Sequence, residues 1–212
     1  MALGPLVVVD TEHADARDSV TVNRLESLRA RLGELTGAPV SVKHYLEANR
    51  AGIEGQAAVL SGSHSAWAAH DQSELAAFRQ RILEFDGRLL GICAGMQLIA
   101  AALGGSVGHA ASPEHGFVEV ELQSNDLFKG LSQAAGFYQN HGDEVTKVPE
   151  SVEVIARNAA CVQAIHVPAR GWWGTQFHPE LGDKSHPAGE RVLANAARLI
   201  YRRTDSLMRQ GR

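Results

Sequence analysis

The sequence predicts an α/β fold: an open, mostly parallel sheet with helices on both faces and a mixed or antiparallel extension. Three observations predict it. Over the first hundred residues, short apolar runs alternate with stretches of helical periodicity, the order that builds a parallel sheet covered on both faces. Beyond residue 105 the helical pattern gives way to closely spaced short strands separated by turn signals. The chain has 212 residues, 44% apolar and 21% charged, which suits one large domain able to bury a core without disulfide or metal.

The elements follow in order. "PLVVVD" (5–10) reads as a buried strand, and "SVTVNRLESLRARLGEL" (19–35) as a helix with Val22, Leu25, Leu28, Leu32 and Leu35 at helical spacing. A strand at "PVSVKHY" (39–45), a short helix around "LEANRAG" and a strand at "AAVLSG" (57–62) come next. "DQSELAAFRQRILEF" (71–85) is a helix with Asp71 as its cap and Glu74 three residues on, in capping-box fashion. A strand over 88–92 leads into a helix over about 95–103. Then "HGFVEVEL", "AGFYQNHGDEV", "VEVIARN", "VQAIHVP" and "WWGTQFHPE" read as strands. The last helix, about 188–203, buries Val192, Leu193, Ala196, Leu199 and Ile200. Residues 1–203 form the expected single domain, and 204–212 a frayed tail.

Bulk properties exclude several functions. A net charge of −4 gives no case for nucleic acid or an anionic membrane as partner. No apolar run approaches the ~20 residues of a membrane span. The N-terminus lacks a basic n-region and meets Asp10 early, unlike a signal peptide. Two cysteines, Cys93 and Cys161, are too few for a disulfide scaffold. The expected location is cytoplasmic, where a free thiol survives.

Cys93 is the residue that asks for a chemical explanation. In "GICAG" (91–95) it sits between an apolar strand and a helical pattern, the context of a nucleophile elbow with sulfur in place of serine oxygen. Small neighbours let strand and helix pack closely around a strained turn. The helix that follows directs its free N–H groups and positive dipole end toward the sulfur, favouring negative charge there. The backbone N–H of Ala94 is then available to an oxyanion. A plain buried cysteine, a common fate of this residue type, explains the pentapeptide equally well.

A thiolate in acyl transfer needs a base that can return a proton to the leaving group. Of ten histidines, His178 in "GTQFHPE" is best placed, at the end of an apolar strand with Glu180 two residues on. Extended residues i and i+2 face the same side, and Pro179 biases His178 toward extended backbone. Glu180 could then hold the imidazole Nδ1–H. Taken alone, a surface His near a Glu is the ordinary reading of that pair. The scattered histidines have no zinc-site spacing, so no metal and no cofactor are expected. His64, His109, His115 and His186 read as surface or loop residues, and Trp172 and Trp173 as packing or interface residues.

Together, Gly-Ile-Cys-x-Gly-Met-Gln and Gly-x-Gln-Phe-His-Pro-Glu, in order and 85 residues apart, resemble the class I glutamine amidotransferases. Supporting segments span nearly the whole chain: "VLSG" (59–62), "LGGSV" (103–107), "EHGFVEV" (114–120), "NHGDEV" (140–145) and the helix around Gly189. The resemblance implies a flavodoxin-like sheet and a Cys93-His178-Glu180 triad that hydrolyses L-glutamine through a thioester. It implies an oxyanion hole from the backbone of Ala94 and of Ser63. Substrate contacts would come from Gln97, Asn140 and the backbone of Gly142 and Asp143.

Within the family, "NHGDEVTKVPESVEVIA" and "EHGFVEV" look most like the glutaminase of GMP synthases. The chain shows no pyrophosphatase loop and no Walker-type loop, so ammonia is expected to pass to a separate synthetase subunit. Three departures stand out. The family usually has Gly-Gly-Pro where this chain has Gly62-Ser63-His64, and a bulkier residue where it has Ala94. Its "DTEHADARDS" (10–19) matches neither the anthranilate-synthase-type nor the GMP-synthase-type opening. A γ-glutamyl hydrolase and a non-catalytic regulatory homologue are the alternative readings.

Overall fold

The computed structural model of the chain describes residues 4–201. The expected tail over 204–212 and the last residues of the expected helix over 188–203 lie outside them. Strand β1 (Leu6–Asp10) is buried along its whole length, as befits a central parallel strand covered on both faces. It pairs in parallel with β2 (Val40–His44) on one side and β3 (Ala57–Leu60) on the other. Beside β3 lies β4 (Arg88–Ile92), and beside β4 lies β9 (Trp172–Thr175), both again parallel.

The remaining pairings are antiparallel. They join β5 (Ser106–Leu122), β6 (Ala134–Lys147), β7 (Glu153–Arg157) and β8 (Val162–Val167) into the same sheet through β8 and β9. The full order is β2-β1-β3-β4-β9-β8-β7-β5-β6. The extension therefore contributes as many strand pairings as the parallel half, and the sheet is mixed. Strand β5 starts at Ser106, well before the expected "HGFVEVEL". Strand β9 stops at Thr175, short of the "QFHPE" that the sequence assigns to it.

Helices cover both faces. Helices α1 (Ser19–Thr36) and α5 (Ala188–Ile200) pack on one, around Leu28, Leu32, Val192 and Leu193. Helices α2 (Tyr45–Ala51), α3 (Gln72–Glu84) and α4 (Ala94–Ala102) pack on the other, around Tyr45, Phe78 and Met96. Asp18 caps α1 by accepting from the Thr21 N–H at 2.8 Å, and Gly37 ends it in left-handed backbone at φ 68°. The expected α1 face is corrected at Val22, which stays 44% exposed while Leu25, Leu28 and Leu32 turn inward. Asp71 caps α3 through the Ser73 and Glu74 N–H groups. The capping box is left half-made, because Glu74 turns its carboxylate to Asn49 Nδ2 at 2.6 Å.

Candidate active site

The carboxyl ends of β1, β3, β4 and β9 converge, and the chain reverses its direction of strand addition at β1. Open α/β sheets hold their ligands in such a crevice. Beyond β4, Cys93 adopts φ 51°, ψ −107°, making it the only non-glycine residue with positive φ among those described. Such backbone costs on the order of 1–3 kcal/mol and persists only where its surroundings force it.

The forcing is visible. The Cys93 N–H donates to the Thr175 carbonyl at 2.6 Å and the Gly95 N–H to the Ser61 carbonyl at 3.1 Å. A Cβ on Gly95 would lie 2.3 Å from the Leu60 carbonyl oxygen, and one on Gly91 2.5 Å from the Gly95 backbone. The glycines flanking Cys93 are there because strand, elbow and helix touch backbone to backbone.

Past β9, His178 keeps extended backbone at φ −98°, ψ 92°, and Pro179 opens a 3-10 turn over Pro179–Leu181. The sequence expects His178 and Glu180 to meet across an extended strand; the turn performs that task instead. His178 Nδ1 lies 2.8 Å from Glu180 Oε1, with both side chains under a tenth exposed. Nε2 has no hydrogen bond of good geometry, and Cys93 adjoins the ring closely enough to act on its titration.

Burial pulls the imidazole pKa down. The Glu180 charge, followed by the hydrogen bond and charge of Cys93, outweighs burial and raises it to about 10. Burial likewise pushes Glu180 up, and the facing His178 brings it below its ordinary value. Gly62 closes the group from above. A Cβ there would lie 2.7 Å from His178 Cε1 and 3.4 Å from the Cys93 Cβ.

A cavity of about 170 Å³ opens beside the sulfur, walled by the 63–67 loop, Ala94, Gln97 and residues 140–143 of β6. No described hydrogen bond engages the backbone N–H of Ser63 or of Ala94. Gln97 is buried and ties the walls together. Its Oε1 accepts from Trp67 Nε1 at 2.6 Å, and its Nε2 donates to the Asp143 carbonyl at 2.7 Å and to Gln176 Oε1 at 3.0 Å. Asn140, Gly142 and Asp143 flank a break in the β5–β6 register, which shifts between His109 and Glu114. A bulge there re-aims the strand beside the cavity.

Three residues of the site escape sequence reasoning. Gln176 Nε2 donates to Cys93 Sγ at 3.4 Å. Arg24 of α1 reaches the loop, its NH2 donating to the Gly62 carbonyl at 3.0 Å and its NH1 to His64 Nε2 at 2.9 Å. Glu12, fully buried just beyond β1, accepts from the same loop. The available signal for Gln176 is its i, i−2 spacing from His178; for Glu12 it is a carboxylate directly after a central strand. His64, expected as a surface or loop bystander, lines the cavity, and its Nδ1 lies 3.4 Å from Asn140 Nδ2.

One further cluster has metal-ligand chemistry: Glu114, His141 and Cys161 bring ligand atoms within 4.8 Å of one another. Amide hydrogens already fill it. Gln163 Nε2 donates to Glu114 Oε2 at 2.7 Å and to Cys161 Sγ at 3.3 Å, and Asn158 Nδ2 to Glu114 Oε1 at 2.6 Å. Burial, with the charges of Glu114 and Glu144, raises the Cys161 thiol to about 12. This second sulfur keeps its proton.

Over 118 residues the chain is 40% identical to a glutamine-hydrolyzing GMP synthase subunit of Pyrococcus abyssi, covering 55% of this chain and 62% of that one. It is 40% identical over 109 residues to the corresponding subunit of Methanocaldococcus jannaschii, covering 50% and 57%. The aligned part thus spans about three-fifths of these relatives' length. A solved Thermoplasma acidophilum protein, provisionally assigned as a GMP synthase subunit, superposes with a TM-score of 0.78 at 26% identity over 94% of this chain and 95% of that one. A glutamine amidotransferase from Thermotoga maritima shares the fold, with a TM-score of 0.70 at 17% identity over 93% and 98%. The family profile described as "Glutamine amidotransferase class-I" matches residues 12–199, and the chain belongs to that family.

Proposed function

We propose that the chain is the glutaminase subunit of a two-chain amidotransferase of the GMP-synthase type, releasing ammonia from L-glutamine for a separate synthetase subunit. The observation that carries this reading is a strained Cys93 elbow facing a buried His178–Glu180 pair. In the proposed reaction Cys93 Sγ attacks the side-chain amide carbon. The carbonyl electrons move onto oxygen, where the N–H groups of Ala94 and Ser63 receive them. His178, charged at neutral pH by the raised pKa, gives its proton to the departing nitrogen, and ammonia leaves. The resulting thioester is cleaved by a water that His178 deprotonates, which returns glutamate and the free sulfur. Glu180 holds the ring in one tautomer and stabilises its charge.

The cavity size and its polar walls suit a single amino acid. Asn140 and the backbone of Gly142 and Asp143 are the proposed contacts for the α-amino and α-carboxylate groups, and Gln97 the wall along the side chain. Gln176, bonded to both Gln97 and the sulfur, joins this set. The relatives named as subunits support a partner that takes the ammonia before it is protonated and lost. No helix of the described residues is long and apolar enough to cross a membrane, and a net charge of −4 fits a cytoplasmic enzyme of small molecules.

The test is a glutaminase assay with and without a candidate synthetase, alongside labelling by a glutamine-mimicking electrophile. The expected result is one adduct on Cys93, glutamate release, and loss of both in Cys93→Ala. Preference for γ-glutamyl peptides over glutamine would overturn the substrate assignment. An unreactive Cys93 in the presence of the partner would overturn the enzyme assignment.

A further inference from the structure

Two oddities of the sequence, the "DTEH" opening and the Ser63-His64 pair, meet in space. Glu12 leaves the end of β1 fully buried, and its carboxylate gathers donors from a loop some fifty residues away. Oε1 accepts from Ser63 Oγ at 2.7 Å and from the Ser65 N–H at 3.1 Å, and Oε2 from the His64 N–H at 2.7 Å. The His13 N–H adds a fourth bond at 3.0 Å. The backbone of Glu12 is fixed from both sides. Its N–H donates to Asp10 Oδ1 at 3.0 Å, and its carbonyl lies 2.9 Å from His44 Nε2.

A buried carboxylate with this many donors stays ionised. Burial raises its pKa, but the His64, Ser65, Ser63 and His13 hydrogen bonds bring it down to about 2. Arg24 holds the opposite side of the loop through the Gly62 carbonyl and His64 Nε2. A guanidinium only donates, so Nε2 is the acceptor and the ring proton sits on Nδ1. Burial and the Arg24 charge lower the His64 pKa, which keeps Nε2 free to accept.

The consequence is a sorting of the loop's N–H groups. Those of His64 and Ser65 are bound to Glu12, and that of Ser63, which lines the cavity, is left over. A proline at 64 would have no N–H to give, and a glycine at 63 no hydroxyl.

We propose that Glu12 is a positioning residue of the amide-cleaving site, its buried carboxylate fixing the Ser63–Ser65 loop so that the Ser63 N–H serves the oxyanion. The inference rests on the glutaminase reading above. Glu12 touches no reacting atom; it acts through the loop.

The experiment compares the full chain with Glu12→Gln, Glu12→Ala, His64→Pro and the Glu12→Ala/His64→Pro double variant. The expected result is a fall in glutaminase kcat of about 10–100-fold, below the cost of deleting an oxyanion donor outright, with KM for glutamine changed by less than about threefold. Alkylation of Cys93 by iodoacetamide needs no oxyanion donor and should keep its rate. Amide exchange at His64 and Ser65 should speed up in Glu12→Gln, which preserves side-chain volume and guards against an unfolded alanine variant. His64→Pro should cost much less in the Glu12→Ala background than in the unaltered chain, because both remove the same bond.

A folded Glu12→Ala enzyme with kcat within twofold of the unaltered chain would overturn the proposal. So would a parallel fall of kcat, alkylation rate and melting temperature, which is the mark of general destabilisation. Unchanged exchange protection at His64 and Ser65 in Glu12→Gln overturns the positioning by itself. Absence of glutaminase activity in the unaltered chain, with partner present, overturns the functional reading and the catalytic consequence with it.

Discussion

At His178 two opposing effects meet, and their sum sets a pH dependence. Burial disfavours the charged ring while Glu180 and Cys93 favour it, leaving a pKa of about 10. A group raised in the folded state contributes stability that is complete below its unfolded value and is lost as pH climbs through the folded one. In the proposed reaction the same proton goes to the leaving nitrogen, so kcat/KM should hold through neutrality and fall as pH passes about 10. In Glu180→Gln the anion is gone and burial acts with less opposition. The alkaline limb should then move to lower pH; a pH–rate profile with an unmoved limb would remove Glu180 from this role.

Glu12 has the opposite sign. Its depressed pKa contributes stability that is complete above the ordinary 4.5 and is lost as pH falls toward about 2. The full difference is on the order of 3 kcal/mol. Acid unfolding followed by circular dichroism should therefore show Glu12→Gln less stable than the unaltered chain at pH 6, with the gap narrowing below pH 4.5 and closed at about pH 2. Cys93, His178 and Glu180 of the proposed triad stand out in the sequence because Gly-x-Cys-x-Gly and His-Pro-Glu are local patterns. Glu12 could not, because its partners lie about fifty residues away and nothing in "DTEH" points to a loop.

Among the elements, the β4–α4 junction carries the strain. Gly95→Ala would drive a methyl to 2.3 Å from a carbonyl oxygen of β3, and backbone cannot step aside as a side chain can. The expected outcome is a melting temperature several degrees lower and about 100-fold less glutaminase activity. Gly62→Ala separates the two effects, since its methyl would press on the edge of the His178 ring at 2.7 Å. Activity should fall there with little change in melting temperature, as measured by calorimetry beside the assay.

Helices α1, α3 and α5 are legible from periodicity, since each buries a stripe against one face of the sheet, whereas α4 is buried on all sides from Ala94 to Ala100. What escaped was the end of β9. Past Thr175 the Gln176 N–H still donates to the Gln163 carbonyl of β8 at 2.8 Å, but the His178 N–H turns to the Tyr138 carbonyl of β6 at 2.8 Å, so the buried "QF" leaves the regular ladder that local pattern would extend. Strand β5 was underestimated for the converse reason. Its first half pairs with β6 despite an exposed, weakly patterned sequence.

For the whole molecule, the sheet of the described residues brings segments from the ends of β1, β3, β4 and β9 together with residues 140–143 inside β6, so the site exists only once the parallel and antiparallel halves have closed together. Unfolding monitored by Cys93 labelling and by far-ultraviolet dichroism should therefore coincide, as for a single cooperative unit. The proposed synthetase partner should raise glutaminase kcat when added at stoichiometric amounts, and mass-balanced ammonia should appear in its product instead of in solution. The alternation of strands and helices made the parallel half readable in advance. The mixed half was readable only as strands, because register and order come from long-range pairing that local pattern does not encode.

Of the two sulfurs of this chain, Cys161 holds its proton to about 12. A thiolate-seeking dye applied at neutral pH to the native protein is thus blind to position 161. Any dye taken up under those conditions then counts Cys93, the proposed nucleophile, with no need to remove the second cysteine first.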